Sequence, residues 1–129
     1  MATEILVNDG GAPARILPFT AGSTVTAGMP VQMGSDAEVD NFAGANGKPL
    51  GVALTTVTSG NLASIIVGSG VILNMYCSGT IGRGDGIATL ADGNVGQAGS
   101  AAASIGYYID TSGAHAGAAS LQQVLYLGL

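Results

Sequence analysis

Leu62-Ala63-Ser64-Ile65-Ile66-Val67-Gly68-Ser69-Gly70-Val71-Ile72-Leu73-Asn74-Met75-Tyr76-Cys77 decides the fold class. No charged residue occurs between Lys48 and Arg83, so the stretch admits two readings: a helix across a bilayer, or buried strands. A spanning helix needs about 20 mostly apolar residues in succession. Here Ser59-Gly60-Asn61 precedes the run, Gly68-Ser69-Gly70 splits it, Asn74 interrupts its second half, and no basic cluster flanks either end. Each half has the length and the β-branched content of a strand. We therefore expect strands over 62–67 and 71–76 and no membrane span. Gly68-Ser69-Gly70 is either a hairpin turn or a bulge in one long bent strand.

The same texture extends in both directions. Short runs of Val, Ile, Leu and Thr recur, separated by Gly, Asn, Asp and Ser, and helical periodicity is almost absent. Further strands are expected over 5–7, 15–19, 24–33, 49–57, 86–90, 104–110 and 121–127. Alternation supports the last but one: Ile105, Tyr107 and Ile109 share a face opposed by Gly106, Tyr108 and Asp110. Asp92-Gly93 is a tight-turn signal, because Gly takes positive φ without strain. One helix is expected, over the Ala-rich 97–104, although it lacks caps. The fold class read from this pattern is all-β: a small β-barrel or β-sandwich over 15–129, with an extended N-terminal arm over 1–14. In the arm, Ile5, Leu6 and Val7 form one apolar strip, tethered by Asn8-Asp9-Gly10-Gly11-Ala12-Pro13. A strand lent to a neighbour and a terminal strand of the chain's own barrel fit the strip equally well.

Small residues dominate the chain, which has 22 Gly, no Trp, two Phe and four Tyr in 129 residues. Small side chains return little apolar area on burial, so such a core gains from cover by other subunits. Arg15, Lys48 and Arg83 are the only fixed bases against eight acids, for a net charge of −5. Nucleic-acid binding requires clustered Lys and Arg to neutralise phosphates, and is not expected. The single Cys77 excludes an intramolecular disulfide and suits a reducing compartment. The start, Met-Ala-Thr-Glu, lacks the basic and then apolar run of a signal peptide.

Chemistry-bearing motifs are few. Gly82-Arg83-Gly84-Asp85-Gly86 leads into Ile87-Ala88-Thr89-Leu90, which reads as a strand, whereas a phosphate-binding loop opens a helix. It reads as a structural turn. Gly44-Ala45-Asn46-Gly47-Lys48 is followed by Pro49, where a Walker loop needs Ser or Thr, and reads as a plain loop. Asp36, Glu38 and Asp40, with Asn41, offer oxygens to a hard cation but lack the glycine and closing glutamate of an EF-hand, and fit a solvated strand face better. His115, the sole His, is expected to be exposed in a Gly-Ala loop, and nothing local pairs it with Cys77. No enzyme and no cofactor are expected.

A series of local patterns carries a family resemblance. Ala27-Gly28-Met29-Pro30-Val31 is followed by Lys48-Pro49-Leu50-Gly51-Val52-Ala53 and by Ser64-Ile65-Ile66-Val67-Gly68-Ser69-Gly70-Val71. Gly84-Asp85-Gly86, Ser104-Ile105-Gly106-Tyr107 and a closing Leu121-Gln122-Gln123-Val124-Leu125-Tyr126-Leu127 complete the order. Over residues 20–129 this resembles the capsid decoration (cement) proteins of tailed bacteriophages. The resemblance implies a β-barrel or β-sandwich made in the host cytoplasm and carried on the outer surface of the virion capsid. Its implied partners are the major capsid protein and copies of itself, a homotrimer in preference to a dimer, with no nucleic acid and no membrane. The family has no catalytic residues to carry over. No motif matches in the N-terminal region, and Ile5, Leu6 and Val7 are the candidate capsid-binding residues. Two other classes compete: another self-assembling virion subunit, such as a tail tube or head fibre, and a small β-barrel binding module or cupin-like enzyme.

Overall fold

The computed structural model describes residues 4–9, 15–34, 36–45, 47–100, 103–110 and 113–128. These form eleven strands and no α-helix. In chain order they are β1 (Leu6–Asn8), β2 (Ile16–Thr20), β3 (Pro30–Met33), β4 (Val39–Asn41), β5 (Gly51–Ala53), β6 (Leu62–Ile66), β7 (Val71–Cys77), β8 (Gly86–Thr89), β9 (Val95–Gln97), β10 (Gly106–Tyr108) and β11 (Ser120–Tyr126). The class is all-β, as the spacing of apolar runs requires.

Two sheets divide the strands. One runs β1-β7-β11-β10-β8-β9, and a parallel pairing of Cys77 with Val95 joins β9 back to β7 and closes a five-stranded barrel. β1 lies outside that ring, antiparallel along the β7 edge at Leu73 and Ile72. The other sheet runs β2-β6-β5-β3-β4, and a parallel bridge between Ala21 and Val39 brings its two ends together.

The sheets have the same connectivity. In each five-strand ring, with β1 set aside, the first strand in sequence pairs with the fifth, the fifth with the fourth, the fourth with the second and the second with the third. The third then returns to the end of the first by a parallel bridge. Hydrogen bonds repeat 56 positions apart: Met29 N–H to Thr26 O (3.1 Å) matches Asp85 N–H to Gly82 O (3.0 Å), and Gly22 N–H to Val39 O matches Ser78 N–H to Val95 O. The Val25–Val57 bridge has its counterpart in Ile81–His115. The chain is therefore an internal duplication, an N-terminal unit (16–66) followed by a C-terminal unit (71–126).

Two apolar clusters fill the molecule. The smaller one, around Val31, Val39 and Ile65, lies within the N-terminal unit. The larger fills the C-terminal barrel with Leu73, Met75, Ile87, Ile105 and Val124, and takes in Val52 and Ile66 from the N-terminal unit. One core thus crosses the boundary between units.

Several expectations need correction. β4 and β9 were not expected, and 97–104 is no helix at its described residues. Gln97 ends a strand, and the Ala103 N–H donates to Ser100 O at 3.2 Å. The long strands expected over 24–33 and 49–57 are short ones, because Gly28 turns the first with φ 86° and only Val25–Val57 continues the pairing. Gly68-Ser69-Gly70 is neither a hairpin nor a bulge: it carries the chain from one sheet to the other, since β6 and β7 do not pair. Asp92-Gly93 does turn a hairpin, β8 to β9, with Gly93 at φ 89°.

Candidate functional site

His115 is buried, contrary to the exposure expected of its loop. Its Nδ1 lies 2.8 Å from the Gly79 carbonyl, which only accepts, so in the neutral ring Nδ1 carries the proton. Nε2 then accepts from the Ser120 hydroxyl at 3.0 Å. Ser120 Oγ in turn accepts from Gln122 Nε2 (3.0 Å), and Gln122 Oε1 accepts from the Tyr108 hydroxyl (3.1 Å). This network satisfies its own polar groups, and no buried side-chain polar atom among the described residues lacks a partner.

Cys77 is fully buried, and burial first, with the Asp110 charge second, pushes its thiol up from 9.0 to about 12. At neutral pH it is a thiol, not a thiolate nucleophile. Asp85 ties its own turn, accepting from Gly82 N–H at 2.7 Å and from Gln97 Nε2 at 3.2 Å. The Arg83–Gly84–Asp85 sequence is thus a structural turn, as read.

Asp36, Glu38 and Asp40 do not converge. Asp40 accepts from the Ser23 hydroxyl at 2.9 Å, and Asn41 in β4 bonds the backbone at Thr24 and Thr26. Among the described residues no three His, Cys, Asp or Glu side chains gather as a metal cluster. No helix among them is long and apolar enough to cross a membrane.

The N-terminal strip is placed by β1. Ile5 belongs to the large core at 7% exposure, Leu6 packs against it, and only Val7 faces outward at 41%. Asn74 holds the strip from β7: its backbone N–H donates to Ile5 O at 2.7 Å and its side-chain amide to Glu4 O at 2.5 Å. Of the two arrangements open to the strip, this chain adopts the strand on its own sheet. The tether at 10–13 lies outside the described residues. Beside β1 opens a groove of about 690 Å³ between the two units, its lining including Leu6, Ala27, Leu54, Thr55, Tyr76 and Leu121.

What remains is surface. Ile16, Leu17, Met33, Leu50, Leu62, Tyr107 and Leu127 are large apolar or aromatic residues left exposed. Sequence reasoning did not single them out, because they lie in or beside strands as the core residues do, and β2 leaves both Ile16 and Leu17 exposed. Their exposure becomes visible only once each strand's neighbours are known.

No protein-family model matches the chain, and no curated protein matches it. Among solved structures the chain is similar to the N base of the head fibre gp8.5 of bacteriophage phi29, with a TM-score of 0.70 and 21% identity. The match covers 91% of this chain and 98% of that one. At that identity the likeness establishes a common fold.

Proposed function

We propose that this chain is a non-enzymatic structural protein of a tailed-phage virion, seated on the outer surface of the head, where it braces the shell as a decoration protein. The observation that carries the reading is the fold shared with a head-fibre base along 98% of that base's length. The side-chain inventory agrees with it. Three bases scattered on a chain of net charge −5 suit the outside of a head, away from packaged DNA. Its one thiol is held protonated by burial and its one imidazole is fully hydrogen-bonded within the fold. The partner is the major capsid protein.

A second reading, favoured by the same fold, is that the chain is the base on which a head fibre stands. One experiment addresses both. Purified protein is added to mature heads that lack it and the particles are imaged by electron cryomicroscopy. Regular density on the outside of the shell supports the proposal, and a projecting fibre on that density in native virions selects the second reading. Heads that bind no protein at saturating concentration overturn both.

A further inference from the structure

Tyr126 ends β11 and packs into the larger core, with only 2% of its surface exposed. Among the described residues its hydroxyl has no hydrogen-bond partner. Burial pushes that hydroxyl up from 10.0 to about 12, so at neutral pH it keeps a proton to donate. Because no buried polar side-chain atom among those residues lacks a partner, the unpaired oxygen is not wholly covered by protein. The surface it keeps meets a hollow of about 310 Å³ that Tyr126 lines.

The duplication shows that the fold does not ask for a hydroxyl at this position. Ile16 pairs with Ile66 as Ile72 pairs with Leu125, so the residue equivalent to Tyr126 is Val67, which has no polar side-chain group. Desolvating a hydroxyl without a partner costs free energy that a valine avoids. Tyr126 therefore carries a donor that its own barrel leaves unused.

The hollow straddles the seam between the units. Pro49 and Leu50 of the N-terminal unit face Tyr126 and Leu127 across it, with Val67 and Ser69 from the connecting segment. No Asp, Glu, Lys, Arg or His lines it, and Lys48, next to Pro49, donates instead to Ser104 O at 3.0 Å. A phosphate, a carboxylate or an ammonium would be desolvated there without a counter-charge. An apolar body with one neutral acceptor suits the walls and the donor. At the rim Leu50 and Leu127 are 36% and 40% exposed, so apolar surface continues past the mouth. The occupant thus extends along the surface, as a polypeptide does.

We propose that this hollow docks an uncharged, extended segment of a partner protein. One apolar side chain of the segment sits between Leu50 and Leu127, and a main-chain carbonyl beside it accepts from the Tyr126 hydroxyl. The inference does not rest on the capsid reading and is tested without heads.

The probe is the blocked tripeptide acetyl-Ala-Leu-Ala-amide, titrated into the full chain and followed by the NMR shifts of the Ser69 and Leu127 amides. Saturable shifts are expected, and acetyl-Ala-Gly-Ala-amide, which lacks the apolar side chain, should give none. Tyr126→Phe should bind the probe roughly tenfold more weakly, the loss of one hydrogen bond, with a urea midpoint at or above wild type. Leu50→Glu, at the exposed rim, should abolish binding with an unchanged midpoint. Absence of saturable shifts up to the solubility of the probe overturns the proposal, as does a Tyr126→Phe protein that binds like wild type. A lower midpoint in Tyr126→Phe would show the hydroxyl bonded within the fold and overturn it equally. Two controls separate other occupants. 4-Methylpentanamide, which carries the same side chain and carbonyl, overturns the segment in favour of a small molecule if it binds as tightly as the peptide. Deletion of Leu129 overturns it in favour of the chain's own end if probe affinity rises.

Discussion

Gly51 and Gly106 occupy the same place in the two units, in the fourth strand where it crosses the fifth. A Cβ at Gly51 would run into Ile66 O, and one at Gly106 into Leu125 O, both backbone atoms of the adjacent strand. A backbone carbonyl cannot swing aside as a side chain can, so the ring closes there only around glycine. Gly106→Ala is expected to lose about 1–3 kcal/mol of stability, as overpacking at a fixed site does, read as a lower urea midpoint at unchanged slope. An unchanged midpoint would show that the strands part without cost. Cys77 and Tyr126 supply a pH dependence of definite sign. Burial raises Cys77 from 9.0 to about 12 and Tyr126 from 10.0 to about 12. Between those values the unfolded chain has released protons that the folded chain keeps, so stability, full below about pH 9, falls as pH rises toward about 12. Urea unfolding across that range checks it, and a flat profile would contradict the burial of both groups.

At the scale of elements, β1 is the most consequential strand because the apolar strip it forms with the preceding Ile5 divides its roles. Ile5 and Leu6 join the core that β7 carries, and Val7 faces solvent. Ile5→Ala is expected to cost about 2–4 kcal/mol, the range for truncating a buried Ile or Leu, while Val7→Ala stays within about 0.5 kcal/mol. If instead the two variants unfold alike, β1 is not seated on β7 in solution. The comparison also bears on head binding. A stable Val7→Ala protein that no longer binds heads would place the anchor at Val7, the strip residue that β1 leaves free. Much at this scale was legible in the chain. The apolar halves of 62–77 marked strands because both carry buried Ile, Val or Leu. The alternation at 104–110, by contrast, grouped Ile105 with Tyr107, and the strand there, only Gly106–Tyr108, leaves Tyr107 exposed and buries Tyr108. β4 and β9 were not marked, since Val39-Asp40-Asn41 and Val95-Gly96-Gln97 each contain a single large apolar residue. A three-residue strand with one buried side chain has no period to read; its neighbours in the sheet define it. His115 was misread for a related reason, because its burial comes from Gly79 and Ser120, far from it or hidden in turn chemistry.

The whole molecule is a duplication that its side chains conceal. Equivalent positions share backbone geometry but rarely residue type: Ala21 matches Cys77, Val57 matches His115, and Ala37, at φ 59°, matches Gly93 at φ 89°. Each unit has repacked its own interior, so what survives is where the chain turns and which strands pair. Repetition of fold does not imply independence. Val52 and Ile66 of the N-terminal unit are fully buried in the cluster that fills the C-terminal barrel, and Tyr76 N–H reaches Gly28 O across the boundary. Separating the units would expose both side chains at about 1.5–3 kcal/mol each, a large part of what a small unit could hold alone. The chain is therefore expected to unfold in one cooperative transition despite its two sheets. Calorimetric and van't Hoff enthalpies should agree, and Gly51→Ala in the N-terminal unit should lower the melting of Tyr108 and Tyr126 in the C-terminal barrel by the same amount as the melting of the backbone. Two resolved transitions, or a Gly51→Ala protein whose C-terminal barrel melts at the wild-type temperature, would show that the shared core is a contact between independent units and not the centre of one.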